Sequence, residues 1–253
     1  SARGKLASND VELDVDVEVS KNLPIFKYKE AILEAIKNNQ IIIIEGQTGC
    51  GKTTQIPQFI LNSKLNNENV IGITQPRKIA AVSMAHRVAK EMNDVIGREV
   101  GYEVRFEKKH SANTKIKYMT DGVLLNELAV GPRLSDYGII IIDEVHERSA
   151  NSDVLLGLLK ELCRKRSDLK LILSSATMSV EKFSNYFKDA SVLTIEGRLH
   201  PIEVIYTKYT MNYVSKAVEV IEEIHSHNNQ GDILVFLTGE EEITECCNAL
   251  QNI

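Results

Sequence analysis

Two runs of four consecutive isoleucines, residues 41–44 and 139–142, dominate the hydropathy pattern. Runs that apolar and that short read as strands buried on both faces, as in a parallel sheet. Weaker strand patterns cover residues 70–74, 100–106, 115–119, 169–173 and 191–195. Helical periodicity fills the gaps. Residues 28–38 would turn Ile32, Leu33 and Ile36 inward, and residues 154–165 would do the same with Leu155, Leu158, Leu159 and Leu162. Helices also read over residues 79–92, 123–130 and 180–187, the second capped by Thr120 or Asp121. A helix after residue 52 continues to about residue 65 with Pro57 inside it, where a missing N–H predicts a kink. Strands and helices alternate, so the fold class is α/β: a parallel sheet with helices on both faces.

The ends differ. Residues 11–19 alternate apolar and acidic positions, and residues 1–20 read as an acidic arm, disordered or paired at a sheet edge. Residues 197–201 read as a linker. Strand patterns at 203–206 and 233–237 follow, with helical patterns at 213–225 and from 238–239 onward. A strand-helix-strand-helix that short cannot cover its own sheet, so residues 198–253 read as a truncated second α/β domain behind a first spanning residues 21–197.

Composition excludes more than it assigns. The net charge of −5 argues against a globally basic nucleic-acid binder and leaves room for a local basic groove. No run of about 18 apolar residues spans a membrane. Cys50, Cys163, Cys246 and Cys247 show no metal-binding spacing, which fits a reducing, intracellular setting.

The chemistry sits at strand ends. Gly46, Gly51, Lys52 and Thr53 fit G-x-x-x-x-G-K-[ST] between the first isoleucine strand and a helix. Glycines let backbone N–H groups curl into an anion nest, and the helix N-terminus faces the same point. Lys52 would reach the β- and γ-phosphates, and the Thr53 hydroxyl would ligate Mg²⁺. The second isoleucine strand runs into Asp143-Glu144. Asp143 is placed to hold Mg²⁺, and Glu144 to orient and deprotonate an attacking water. His146 reads either as a neutral hydrogen-bond relay or as a loop histidine of no account.

Together these residues resemble the DEAH/RHA group of superfamily 2 RNA helicases. The matching signatures, in family order, are residues 46–54, Thr74-Gln75-Pro76-Arg77, Thr120-Asp121-Gly122, Asp143-Glu144-Val145-His146 and Ser175-Ala176-Thr177. Phe236-Leu237-Thr238-Gly239 matches the opening block of the family's second RecA-like domain. The resemblance implies a RecA-like fold and ATP or ADP with Mg²⁺, cradled by Gly46, Thr48, Gly49, Cys50, Gly51, Lys52, Thr53 and Thr54. It implies that Arg87 stacks on the base, and that His146, Ser175 and Thr177 couple hydrolysis to domain movement. It further implies that Arg77, Arg105, Phe106, Thr120 and Asp121 line a single-stranded RNA backbone, and that translocation runs 3′ to 5′. A glycine-rich-patch protein as activator and a nuclear rather than cytoplasmic setting are also family expectations.

The family more often has Glu at Gln47, Ser at Cys50 and Ala at Val145, so the box here is DEVH and the subgroup stays open. Cys50, at a helix N-terminus beside Lys52, is expected to be a reactive thiol that nucleotide protects. No arginine follows Arg198. The arginine fingers of phosphoryl transfer are therefore expected beyond residue 253. The chain itself is expected to be monomeric, to bind nucleotide, to hydrolyse slowly and not to unwind. A nucleotide-gated RNA clamp or assembly factor without unwinding is the alternative.

Overall fold

The computed structural model describes residues 22–176, 180–197, 201–208, 210–227 and 231–251. The acidic arm lies outside them. The chain forms two compact units, residues 1–199 and 200–253.

The first unit is built on an eight-stranded sheet in the order β4-β3-β5-β2-β6-β7-β1-β8. The strands are β1 (Ile41–Gly46), β2 (Val70–Gln75), β3 (Val100–Val104), β4 (Glu107–Lys109), β5 (Ile116–Thr120), β6 (Tyr137–Ile142), β7 (Lys170–Ser175) and β8 (Ser191–Ile195). Every pairing is parallel except β3 with β4. The isoleucine runs explain the layering. Ile42, Ile44, Ile139 and Ile141 enter one core; Ile43, Ile140 and Ile142 enter the other, because alternate strand residues face opposite sides.

Helices α1 (Lys29–Asn38), α2 (Lys52–Ser63) and α3 (Lys78–Glu91) cover the first face through residues such as Ile32, Ile60 and Ala85. Helices α4 (Asp121–Val130), α5 (Ala150–Lys165) and α6 (Val180–Tyr186) cover the second through Leu124, Leu159 and Phe183. The sheet is mostly parallel and the unit is α/β, as the sequence pattern predicts.

Several details differ from the sequence reading. The strand pattern over residues 100–106 is a hairpin: Phe106 adopts φ +68°, which no strand residue holds, and the chain returns as β4. Leu158 is exposed; the inward face of α5 uses Leu156 instead. Thr120 takes the N-cap position of α4 without a side-chain cap bond. By contrast Ser149 caps α5, its Oγ accepting from the Ser152 N–H at 3.0 Å. Pro57 sits inside α2 without ending it.

In the second unit, helices α7 (Tyr213–Ser226) and α8 (Glu240–Leu250) pack on each other. Asn212 caps α7 at the Ser215 N–H, 3.1 Å, and Glu242 reaches back to the N–H and hydroxyl of Thr238 at 2.9 and 2.7 Å. The expected strands at 203–206 and 233–237 do not form a ladder among the described residues; a strand pattern needs a paired edge, and Tyr206 and Phe236 stand exposed there.

Candidate active site

The strands β2, β6, β7 and β1 end together, and each delivers polar groups to the same edge of the sheet. From β1 the chain enters a turn that only glycine tolerates at two points. Gly49 and Gly51 have φ +82° and +104°, and a Cβ on Gly51 would stand 2.9 Å from Ile25 Cγ2. Gly46 has no positive φ, but a Cβ there would meet Cys50 Sγ at 3.2 Å and the Ile195 backbone oxygen at 3.3 Å. The turn is pinned by Ile25 N–H on the Cys50 carbonyl, 3.2 Å, and by Cys50 N–H on Gln47 O, 3.3 Å. Thr48 and Gly49 are exposed, and no atom lies within 4 Å of the Cβ position at Gly49, so the mouth of the loop is open.

Lys52 is buried and folds back over the loop, donating to the carbonyls of Gly46 and of Gln47, the latter at 3.1 Å. Its Nζ lies 3.8 Å from Cys50 Sγ. Cys50 is itself buried, so a thiol reagent reaches it only when the loop opens. Thr54 is buried and its hydroxyl is 3.4 Å from Gly51 O.

Asp143, buried at the end of β6, is the meeting point. One carboxylate oxygen accepts from the Thr53 hydroxyl at 2.5 Å and from Gln75 Nε2 at 2.6 Å; the other accepts from the Glu144 N–H at 3.0 Å. Thr53 and Asp143, expected at the metal, are thus adjacent hard-oxygen donors, a set that suits Mg²⁺. Glu144 adopts φ +53°, an uncommon conformation for a residue with a side chain, and such strain concentrates at functional sites. Burial, and then the neighbouring Asp143 charge, hold its carboxyl above the usual carboxylate range, with His146 and Lys52 pulling the other way. A raised carboxyl is better matched to accepting a proton near neutral pH.

His146 is no idle loop residue. Its Nδ1 accepts from the Ala176 N–H at 3.1 Å, so in the neutral ring the proton sits on Nε2, 3.2 Å from Glu144 Oε2. The imidazole therefore joins the end of β6 to the end of β7. Ser175 is buried there; Thr177 lies outside the described residues.

Arg87 lies on α3, partly exposed, with Nε 3.0 Å from Glu91 Oε1. Glu91 is held in turn by Gln55 Nε2 at 2.8 Å and Gln58 Nε2 at 2.7 Å. The guanidinium is thus fixed by a brace that runs back into the phosphate-loop helix.

The residues expected at nucleic acid share this end of the sheet. Arg77 is three-quarters exposed and pairs with Glu147 at 3.3 Å. Arg105 and Phe106 form the hairpin tip, the guanidinium 4.8 Å from the ring centroid and the ring 93% exposed, so Phe106 is not a core residue. Thr120 is half-buried. Asp121 departs from expectation: its side chain is buried and accepts from the Ser149 hydroxyl at 3.1 Å, because the start of α4 is packed against the start of α5.

Sequence reasoning gave no role to Gln75, Glu91, Gln55 or Gln58. The signal for Gln75 was present: it ends the strand next to the one that Asp143 follows. Among the described residues no cluster of His, Cys, Asp and Glu forms a further metal site, and no helix is long and apolar enough to cross a membrane. Compared with known protein families, residues 26–185 match the family model described as DEAD/DEAH box helicase.

Proposed function

The chain belongs to the DEAD/DEAH box helicase family, and from that premise we propose that it is the nucleotide-binding part of an RNA helicase of the DEAH type. Helicase domains of this family bind ATP, typically with Mg²⁺, and imply ATP-dependent helicase activity. The finer reading is an ATP-driven motor that moves 3′ to 5′ on single-stranded RNA and remodels RNA or its protein complexes. The observation that carries it is the His146 bridge between Glu144 and Ala176, which gives the histidine of a DEVH box work at the hydrolysis site.

The residues fit Mg²⁺-nucleotide. The loop N–H groups and the N-terminus of α2 would hold the phosphates. Lys52 would exchange the Gly46 and Gln47 carbonyls for phosphate oxygens. Thr53 and Asp143 would hold Mg²⁺, which when bound neutralises charge on the β- and γ-phosphates. Glu144 orients the attacking water and accepts its proton. His146 donates Nε2–H to Glu144 and feels the position of β7 through Ala176, so a change at the acid is passed to the Ser175-Ala176-Thr177 segment. Arg87, braced by Glu91, offers a flat cation to the base and reads no base edge. Arg77, Arg105 and Phe106 would meet RNA, Phe106 by stacking and the arginines by phosphate contact.

Residues 198–253 would belong to a second RecA-like domain, the kind of domain that supplies arginine fingers to phosphoryl transfer. The partners proposed are single-stranded RNA and a glycine-rich-patch activator, in a nuclear setting. The test is Mg²⁺-ATP turnover with and without single-stranded RNA, in the wild type beside Lys52→Ala. Stimulation by RNA, abolished by Lys52→Ala, supports the motor. Turnover indifferent to RNA removes it and leaves a nucleotide switch. Turnover stimulated by RNA without strand separation leaves the clamp.

A further inference from the structure

Pro57 sits on the sixth residue of α2, where it brings no N–H. In an α-helix that N–H would bond the carbonyl four residues back, which is Thr53 O. The Thr53 carbonyl is nevertheless satisfied: the Tyr118 hydroxyl donates to it at 2.8 Å. Tyr118 belongs to β5, two strands from β6, and is fully buried. A buried phenol needs a partner, and a buried carbonyl without one costs about 1–3 kcal/mol, so each of these groups answers the other's need.

The consequence lies in which residue is held. Thr53 carries the hydroxyl that meets Asp143 at 2.5 Å. An ordinary ladder bond at Thr53 O would tie α2 to itself. The Tyr118 bond ties the first turn of α2 to the sheet, on a strand that continues directly into Thr120 and Asp121. The hydroxyl is a dependable donor. Burial, then the charges of Asp143 and Glu91, push its ionisation well above the ordinary tyrosine range, Arg87 opposing.

We propose that Tyr118 is a positioning residue for Mg²⁺-nucleotide: it supplies the hydrogen bond that Pro57 withholds and so keeps the Thr53 hydroxyl in register with Asp143. This rests on the reading of residues 46–54 as the phosphate loop. It makes Pro57 and Tyr118 one device rather than a tolerated irregularity and a core aromatic.

The test measures binding of a fluorescent ADP, with Mg²⁺ and with excess chelator, to the wild type, Tyr118→Phe, Pro57→Ala and the double variant, with thermal unfolding alongside. Tyr118→Phe keeps the ring and removes only the donor. It is expected to weaken Mg²⁺-ADP about fivefold, the worth of one net hydrogen bond. ADP without metal should change by less than about twofold, since the loop N–H groups are untouched. Pro57→Ala restores an N–H above Thr53 O, so the double variant is expected to bind like Pro57→Ala. A Tyr118→Phe protein that melts earlier but keeps the wild-type ratio of the two affinities would overturn the proposal, because Tyr118 would then only fill the core. Equal losses on the wild-type and Pro57→Ala backgrounds would overturn it too. If the wild type and Lys52→Ala bind Mg²⁺-ADP alike, the fault lies with the phosphate-loop reading, and the proposal falls with it.

Discussion

The two ends of the same parallel strands use polar side chains in opposite ways. Near the starts of β1 and β7, three side chains are held by backbone carbonyls. Gln40 Nε2 donates to the carbonyls of Cys163, Arg166 and Leu169 at 2.9, 2.7 and 3.2 Å. Arg166 donates to the carbonyls of Arg133, Leu134 and Tyr137 at 2.9, 2.7 and 3.1 Å and pairs with Asp168. Lys170 donates to Lys37 O and Asn39 O. Where the parallel strands end, two carboxylates are bonded by other side chains, Asp143 by Thr53 and Gln75 and Glu144 by His146, while Lys52 donates to the loop carbonyls of Gly46 and Gln47. There Glu144 is strained, and among the described residues the buried Ser174 hydroxyl has no partner. A side chain held by three carbonyls at once, as Gln40 and Arg166 are, is committed to the fold. A carboxylate bonded to other side chains can exchange them for a metal or a water, and Lys52 can exchange its two carbonyls for a phosphate. One end is built to stay and the other to be rearranged.

If that contrast is right, mutations at the two ends should damage different things. The largest effect is expected for Glu144→Gln. It removes a general base, so ATP turnover should fall about 10²–10⁴-fold. Nucleotide affinity should hold, and the melting temperature should stay or rise, since a carboxyl whose burial disfavours its charge is replaced by a neutral amide. A Glu144→Gln protein that turns over normally would show the proton acceptor to be elsewhere.

Arg166→Ala is the mirror image. It strands three backbone carbonyls and the Asp168 carboxylate. Bonds from a charged donor are strong, and buried acceptors left alone are costly, so stability should drop by about 3 kcal/mol. For a unit of this size that lowers the melting temperature by roughly 6–12 °C. Nucleotide affinity of the folded fraction should not change. A drop in affinity without a drop in melting temperature would break the division between the two ends.

These contrasts also mark what could be read from the sequence. The isoleucine runs, Gly46 to Thr53 and Asp143-Glu144 were legible because local order carries them: a strand, a turn that needs glycine, an acid at a strand end. Pairing is not local, so the order that places β5 beside β2, and Tyr118 over Thr53, has no periodic signature. The β3–β4 hairpin stayed hidden because its turn is Arg105-Phe106, without the glycine or asparagine that positive φ usually selects. The burial of Asp121, expected as a helix cap and an RNA-lining residue, stayed hidden because nothing in its neighbours foretells that the start of α5 packs against it.

A smaller effect tests the mobility of the loop. Cys247 is exposed and Cys50 is buried. Under a mild alkylating reagent, followed by mass spectrometry, Cys247 should label first and Cys50 only as the loop opens. ADP at ten times its Kd should then slow Cys50 about tenfold, because only the unliganded loop opens. Equal labelling with and without nucleotide would place nucleotide somewhere other than against this turn.

The smallest effect bears on Asp121, a buried acid at the rearranging end. It opens α4, where the helix dipole favours a negative charge. Burial outweighs that, and Glu147 adds to it, so the carboxyl is held above its ordinary range despite the Ser149 hydroxyl. The folded state therefore binds this proton more tightly than the unfolded state does. By linkage, the stability associated with Asp121 is fully present below the ordinary carboxylate value and is lost as pH rises through the raised one. Asp121→Asn has no such proton. Its stability relative to the wild type should increase with pH across that window and be level on either side. Chemical denaturation at a series of pH values measures the difference directly. A difference that declines with pH would mean that the charged form of Asp121 is favoured by folding, and the acid would then belong with Arg166 among the groups that hold the fold.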